Sequence, residues 1–412
     1  MKRTKIVATL GPATEKPKTL RKMIDAGLDV ARLNFSHGSA DDHRARAAAL
    51  RAAAEEAGRD VGLMGDLQGP KIRIRRFANG SVEINDGADF FLDSTLGLED
   101  GDEHGVGVAL DTLHEDVETG DTLLLNDGMI TLKVKSVEGT RIHTTVVNGG
   151  ILSDHKGINK KGGGLSAPAL TDIDKQNIRI AAECQMDFLA VSFVRNGDDI
   201  REARRLFEEA GGEGRIVAKI ERTEAVDNID DIIAASDVIM VARGDLGVEM
   251  GYAKLTGIQK KLIRKTRKAS KVVITATQMM ESMIHNPIPT RAEVSDVSNA
   301  VMDGTDAVML SGETAVGKYP VKAVQAMAEV CMGAETFELP AGQTRHRLGD
   351  YFSRVDEAIA MAVMYTANHL NVRAIFALTE SGSTALWMSR IRSDIPIYAF
   401  TPHVATARRV SM

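Results

Sequence analysis

The sequence predicts an α/β protein: a closed (β/α)8 TIM barrel, a small antiparallel β-barrel domain inserted after its third strand, and a C-terminal α/β domain. Three observations carry this. Eight short apolar runs rich in Val, Ile and Ala recur along the chain, and each ends in polar or glycine-rich sequence. Helical segments separate most of them. Aromatic residues make up only 4% of the 412 residues against 43% hydrophobic, so aliphatic side chains must fill the core, as they do in parallel strands packed under helices. Strands alternating with helices build right-handed βαβ units, and eight such units close a barrel. The competing arrangement, an open doubly wound sheet, binds at one glycine-rich switch point. Here polar groups end nearly every strand.

The runs, in order, are KIVATLG (5–11), DVARLNFS (29–36), VGLMGDLQ (61–68), DFLAVSF (187–193), RIVAKIE (215–221), VIMVARGD (238–245), KVVITATQ (271–278) and AVMLSGE (307–313). Between the third and fourth lies a long stretch rich in Gly and Asp, with short alternating segments and turn signals such as NDG and VNGG. It reads as an inserted β domain over 70–166. KGINKKGGGLSAP is its flexible return hinge. The barrel then comprises 1–69 and 167–335. After the linker FELPAGQTRHRLGD, residues 336–412 supply helix, strand, helix, strand and helix: an α/β domain with few strands, expected to be incomplete.

Composition excludes some classes. A net charge of −6 gives no general attraction to nucleic acid, so any basic site must be local. The N-terminal MKRTKIVATLG enters a strand with no apolar run long enough for a signal peptide or a membrane span, and a cytoplasmic location is expected. Cys184 and Cys331 lie far apart, match no metal spacing, and read as buried free thiols in a reducing compartment.

The strand ends hold the chemistry. Arg32, Asn34 and Ser36 alternate along the second run and share one face. They are either a solvated strand end or an arginine for phosphate beside oxygens for a monovalent cation, a cluster that Asp66 can join. Lys219 and Glu221 share a face of the fifth run, and Arg243 and Asp245 end the sixth. Glu221 and Asp245, on adjacent barrel strands, can share a hard cation; with a phosphate substrate this means Mg²⁺. Lys219 beside them is a fixed charge where anionic charge builds up. Charged groups gathered at strand ends are costly as mere architecture. The amides of Gly244 and Asp245 can hold a carboxylate. Thr277 ends the seventh run, and Glu313, near the eighth, is either a proton relay or a helix cap. His37 is either an exposed turn residue or a nucleotide contact. In GDLQGPKIRIRR (65–76) Lys71, Arg73 and Arg75 share one face: either a solvated strand or cations facing a polyanion. The methionines of QMMESMI read as core filler.

Together the stretches KIVATLGPAT, DVARLNFSHG, GDLQGPKIR, VAKIERTEAV, IMVARGDLGVE and ITATQMMESM…PTRAEVSDVSNAV…GETAVGKYP resemble the pyruvate kinase family, collinearly over residues 1–335. The resemblance implies transfer of a phosphoryl group from phosphoenolpyruvate to ADP, giving pyruvate and ATP. Arg32 and Lys219 would grip the phosphoryl group. Glu221 and Asp245 would hold Mg²⁺, with Mn²⁺ as an alternative. Gly244, Asp245 and Thr277 would bind the carboxylate end. Protonation of the enolate would run through hydroxyls and water near Thr277, with Glu313 as a relay. Asn34, His37, Arg73 and Lys156 would contact the nucleotide, Lys156 entering as the inserted domain closes. A bound K⁺ would use Asn34, Ser36, Asp66 and the carbonyl of Leu67. One departure is Lys71, where many relatives carry Glu: its ammonium is expected to replace K⁺. TESGSTA resembles an effector phosphate loop. Thr379, Ser381, Gly382, Ser383 and Thr384 would bind AMP or a sugar monophosphate there, since the loop lacks the Lys or Arg a bisphosphate favours. A homotetramer is implied. The rivals are a different barrel enzyme of phosphoenolpyruvate or pyruvate, which needs neither nucleotide nor inserted domain, and an inactive scaffold, against which Lys219, Glu221 and Asp245 are all in place.

Overall fold

The computed structural model describes residues 2–337, 351–352, 354–391, 393 and 395–412, so the expected linker lies outside the described residues except for Phe337. All eight runs become strands of one closed parallel barrel. They are β1 (Lys5–Thr9), β2 (Val30–Asn34), β3 (Gly62–Asp66), β4 (Phe188–Val191), β5 (Arg215–Ile220), β6 (Val238–Ala242), β7 (Val272–Ala276) and β8 (Ala307–Leu310). The order round the barrel follows the chain, and β8 closes on β1 through Lys5↔Ala307 to Ala8↔Leu310.

Alternation along each strand splits two layers. Val7, Val30, Met64, Phe188, Val217, Met240, Ile274 and Met309 fill the interior. Ile6, Ala31, Leu63, Leu189, Ile216, Ile239, Val273 and Val308 face outward under the helices. The helices begin where the sequence provides caps: Ser39, Thr171 and Thr290 each accept a hydrogen bond from the amide three residues on, and Asp42, Asp174 and Glu293 answer in return. Met279, Met280 and Met283 are fully buried, as core filler should be.

After β3 the chain leaves the barrel. A six-stranded sheet follows, in the order Ile158–Lys160, Thr122–Leu125, Ile130–Glu138, Arg141–Asn148, Asp89–Asp93, Gly105–Gly107, with a two-stranded ribbon of Ser81–Ile84 and Gly150–Ser153. It is antiparallel except for the pair Asp89–Asp93 and Gly105–Gly107. Its core runs from Ile72 to Ala167 and is separate from the barrel's. The C-terminal segment packs helix Val355–His369 and helix Ser383–Ser389 against a parallel pair, Ile375–Leu378 with Ile397–Phe400. It meets the barrel end opposite the polar strand termini: Arg390 donates to both oxygens of Asp306 at 2.6 and 3.0 Å, and Arg408 donates to Asp187 at 2.9 Å. No helix among the described residues is long and apolar enough to cross a membrane.

Candidate active site

The barrel register decides which polar residues meet. Thr9 lies beside Arg32, and Asn34 beside Asp66. Arg32 Nε donates to Asp66 Oδ2 at 2.6 Å, and its Nη1 donates to Thr9 Oγ1 at 2.8 Å. Asp66 is fully buried. Its other oxygen lies 3.2 Å from Lys219 Nζ, which is 2.9 Å from Glu221 Oε1 and donates to Ser192 Oγ at 2.6 Å. Ser192 donates onward to the Leu67 carbonyl at 2.7 Å. Glu221 Oε2 accepts the Phe193 amide at 2.8 Å. The result is a buried chain of alternating charge: Arg32, Asp66, Lys219, Glu221.

Burial alone would push the Asp66 carboxyl up, but Lys219 and Arg32 outweigh it and hold the group below its ordinary range. Burial alone would lower the Lys219 ammonium, but Asp66 and Glu221 keep it raised. Glu221 goes the other way. Burial, aided by the neighbouring Asp245 and Asp66 carboxylates, raises it despite Lys219.

Asp245 sits in the first turn of helix Arg243–Met250, which starts directly at the end of β6. Its Oδ1 accepts from Lys71 Nζ at 3.1 Å, and Lys71 also lies 3.6 Å from Asp127 of the inserted domain. Burial would lower this ammonium; Asp245 and Asp127 outweigh it and raise it. Lys71 is therefore joined to the Asp245 side of the mouth. Crowding of Glu221 and Asp245 is what a divalent cation relieves, and two hard carboxylates leave the remaining positions of an octahedral ion to water and substrate oxygens. The donor set therefore fits Mg²⁺. No cluster of three or more acidic, His or Cys side chains forms a self-sufficient metal cage among the described residues.

Thr277 lies beyond the end of β7, at φ +70, and Gln278 follows at φ +52. A left-handed β-branched residue is strained, and such strain gathers at functional sites. The Thr277 hydroxyl accepts the Gly244 amide at 2.9 Å and donates to the Ala276 carbonyl at 2.6 Å. Gly244 is thus tied to Thr277, while Arg243 turns away to Asp296 (2.7 Å) and the carbonyls of Ala276 and Thr277.

The other expected residues are distributed around this mouth. Asn34 and Ser36 are half-buried, and Asn34 Oδ1 accepts the Ser36 amide at 3.1 Å; His37 is exposed. Arg73 donates to the His155 carbonyl at 2.9 Å and bridges to Gly157; Lys156 lies between those two residues, just before the return strand. Glu313 is fully buried, and both its oxygens accept backbone amides, from Met280 at 3.1 Å and Ser311 at 2.6 Å, which is the cap arrangement. In the C-terminal segment Thr379 accepts the Gly382 amide, Ser381 and Ser383 share a hydrogen bond, and Thr384 lies in the following seven-residue helix.

The sequence reading did not single out Thr9, Asp127, Ser192 or the Phe193 amide. Ser192 ends a strand like the others and was detectable by that rule. Asp127 sits in an NDG turn, where its type is explained by the turn alone.

A barrel that ends its strands in a fixed arginine, a fixed lysine and a pair of magnesium-type carboxylates has the framework of a phosphotransferase. The comparisons agree. Residues 1–324 match the family model for the pyruvate kinase barrel domain, and residues 357–412 the model for the pyruvate kinase alpha/beta domain. Pyruvate kinase II of Salmonella typhimurium is 57% identical over 411 residues, covering 98% of this chain and 85% of the relative. A pyruvate kinase of Haemophilus influenzae is 54% identical over 411 residues, covering 98% and 86%. The crystal structure of a pyruvate kinase from Cryptosporidium parvum superposes with a TM-score of 0.95 at 36% identity, over 100% of this chain and 85% of that one. The chain belongs to the pyruvate kinase family. Its reaction is phosphoryl transfer from phosphoenolpyruvate to ADP, giving pyruvate and ATP.

Proposed function

We propose that this reaction runs on the chain of charges Arg32, Asp66, Lys219, Glu221 and on Asp245. The observation that carries the reading is Lys219, held between two buried carboxylates and raised by them. Its ammonium is a permanent cation. With Arg32 it would grip the phosphoryl group as charge spreads over the oxygens in transfer. Asp66 orients both cations and does not itself meet substrate. Glu221 and Asp245 would hold Mg²⁺ or Mn²⁺, which when bound neutralises the substrate carboxylate and the enolate oxygen. The Asp245 amide and the Thr277 hydroxyl would position the carboxylate end. Protonation of the enolate carbon would use water near Thr277; the two amides on Glu313 favour a structural role for that residue. Asn34, His37, Arg73 and Lys156 would meet the nucleotide, and closure of the inserted domain would exclude water.

We further read Lys71 as a replacement for K⁺. Two features support this. Its ammonium supplies a charge in the mouth at Asp245, and three of the four residues a K⁺ would use have their oxygens engaged: Asp66 by Arg32 and Lys219, Leu67 by Ser192, Asn34 by the Ser36 amide. Turnover in buffer whose only monovalent cation is tetramethylammonium tests it. Full activity there is expected; collapse with rescue by KCl would refute it. A homotetramer, and AMP or a sugar monophosphate at the Thr379–Thr384 loop, complete the proposal, as does a cytoplasmic setting consistent with two free thiols.

A further inference from the structure

The inserted domain returns to the barrel through Ile158–Lys160 and then three successive left-handed glycines, Gly162, Gly163 and Gly164. Such a hinge is conformationally loose unless something holds it. Two helical segments at the catalytic mouth do. Asn159 Nδ2 donates to Glu249 Oε1 at 3.5 Å, and the Gly162 amide donates to the Glu249 carbonyl at 3.1 Å. The Gly164 amide donates to Glu224 Oε1, and the Leu165 carbonyl accepts from Arg222. Glu249 Oε2 accepts the Thr223 amide at 3.0 Å, which ties the two segments together. Arg222, Thr223 and Glu224 follow Glu221 directly on the chain; Glu249 lies one helical turn after Asp245. Glu249 is only 4% exposed, and the chemistry above makes no use of it.

We propose that Glu249 is a positioning residue: its carboxylate latches the return hinge of the inserted domain to the two segments that carry Glu221 and Asp245. The latch makes lid position and carboxylate geometry one variable. It rests on the reading above only in that the lid brings Arg73 and Lys156 to the nucleotide. Burial pushes the Glu249 carboxyl up to about 7, Glu224 adding to the rise and Arg222 opposing it. From the hinge its hydrogen-bond neighbour is the Asn159 amide. Burial penalises the ionised carboxylate more than the Thr223 and Asn159 hydrogen bonds and the nearby Arg222 charge offset, so a latch that keeps the group buried is held best by the protonated acid. The latch therefore loosens as pH rises through about 7.

Limited trypsinolysis reads the latch without reference to turnover, since Lys161 is exposed within the hinge. In the full chain, Glu249→Ala should speed cutting after Lys161 by about tenfold, the worth of one charge-assisted hydrogen bond. It should raise KM for ADP several-fold while KM for phosphoenolpyruvate moves little. In the parent, cutting normalised to an unstructured lysyl peptide cut by trypsin at the same pH should be faster at pH 8 than at pH 6. In Glu249→Gln, which keeps the shape and cannot ionise, that pH difference should vanish. Unchanged cutting in Glu249→Ala, or the same pH difference in Glu249→Gln, would overturn the latch. Should Glu249→Ala not fold, the Glu249→Gln pH profile decides alone. Arg73→Ala and Lys156→Ala with unchanged KM for ADP would instead refute the nucleotide reading, leaving the proteolysis result standing.

Discussion

Lys219→Met removes one ammonium from the middle of the charge chain and leaves the side-chain length in place. Its Nζ lies 3.2 Å from Asp66 and 2.9 Å from Glu221, at a site 9% exposed. Two costs follow. Asp66 keeps Arg32 at 2.6 Å, but Glu221 keeps only the Phe193 amide, and taking one partner from a buried ion pair costs about 3–5 kcal/mol. Glu221 is already raised and can take a proton, which places the stability loss near the lower figure, about 3 kcal/mol. The second cost is in rate. A fixed cation aimed at developing charge in a closed site contributes roughly 3–4 kcal/mol, so kcat should fall by about 10²–10³ or more. Thermal melting and circular dichroism give the first, and a lactate dehydrogenase-coupled pyruvate assay the second. The combination matters. A variant that melts lower yet turns over within tenfold of the parent would show that Lys219 is architecture and refute its catalytic placement.

Three further outcomes are expected. Glu249 has a carboxyl raised from 4.5 to about 7 in the fold. A raised acid stabilises the fold below its unfolded value and loses that contribution as pH rises through 7, so ionised Glu249 strains the native state by up to roughly 3 kcal/mol. Glu249→Gln should melt higher than the parent at pH 8 and equally at pH 4.5; a lower melting temperature at pH 8 would contradict the sign. Glu221 is also raised, so Mg²⁺, which takes the ionised carboxylate, should bind more tightly as pH rises; calorimetry at a series of pH values measures it, and an affinity that falls as pH rises would count against the assignment. Lys71→Glu puts a third carboxylate beside Asp245 and Asp127; turnover should fall in tetramethylammonium and recover in KCl, and indifference to KCl would remove Lys71 from the cation account.

The barrel was legible because its strands are made of branched aliphatic residues and bounded by polar ones. All eight runs became strands in sequential order. Arg32, Asp66, Lys219 and Glu221 were legible for the same reason: a strand's alternation states which side chains face the interior. The limits come where alternation stops. Thr277 is not a strand residue facing inward beside Thr275; it sits past the strand end at φ +70, and only the Gly244 contact reveals why. Lys71 was read from its own strand face, yet its partners are 56 and 174 residues away, at Asp127 and Asp245. Glu313 had two readings that spacing alone leaves equal, and the two backbone amides on its oxygens distinguish them. Glu249 carries no local signal, because its neighbours Asn159 and Thr223 arrive from other segments of the chain.

The most direct test of the central claim is pyruvate formation from phosphoenolpyruvate by the purified chain, with Mg²⁺ present and ADP present or absent. Stoichiometric pyruvate and ATP are expected with ADP, and neither without it. Pyruvate released without ADP, or no pyruvate in either case, would contradict phosphoryl transfer at this site.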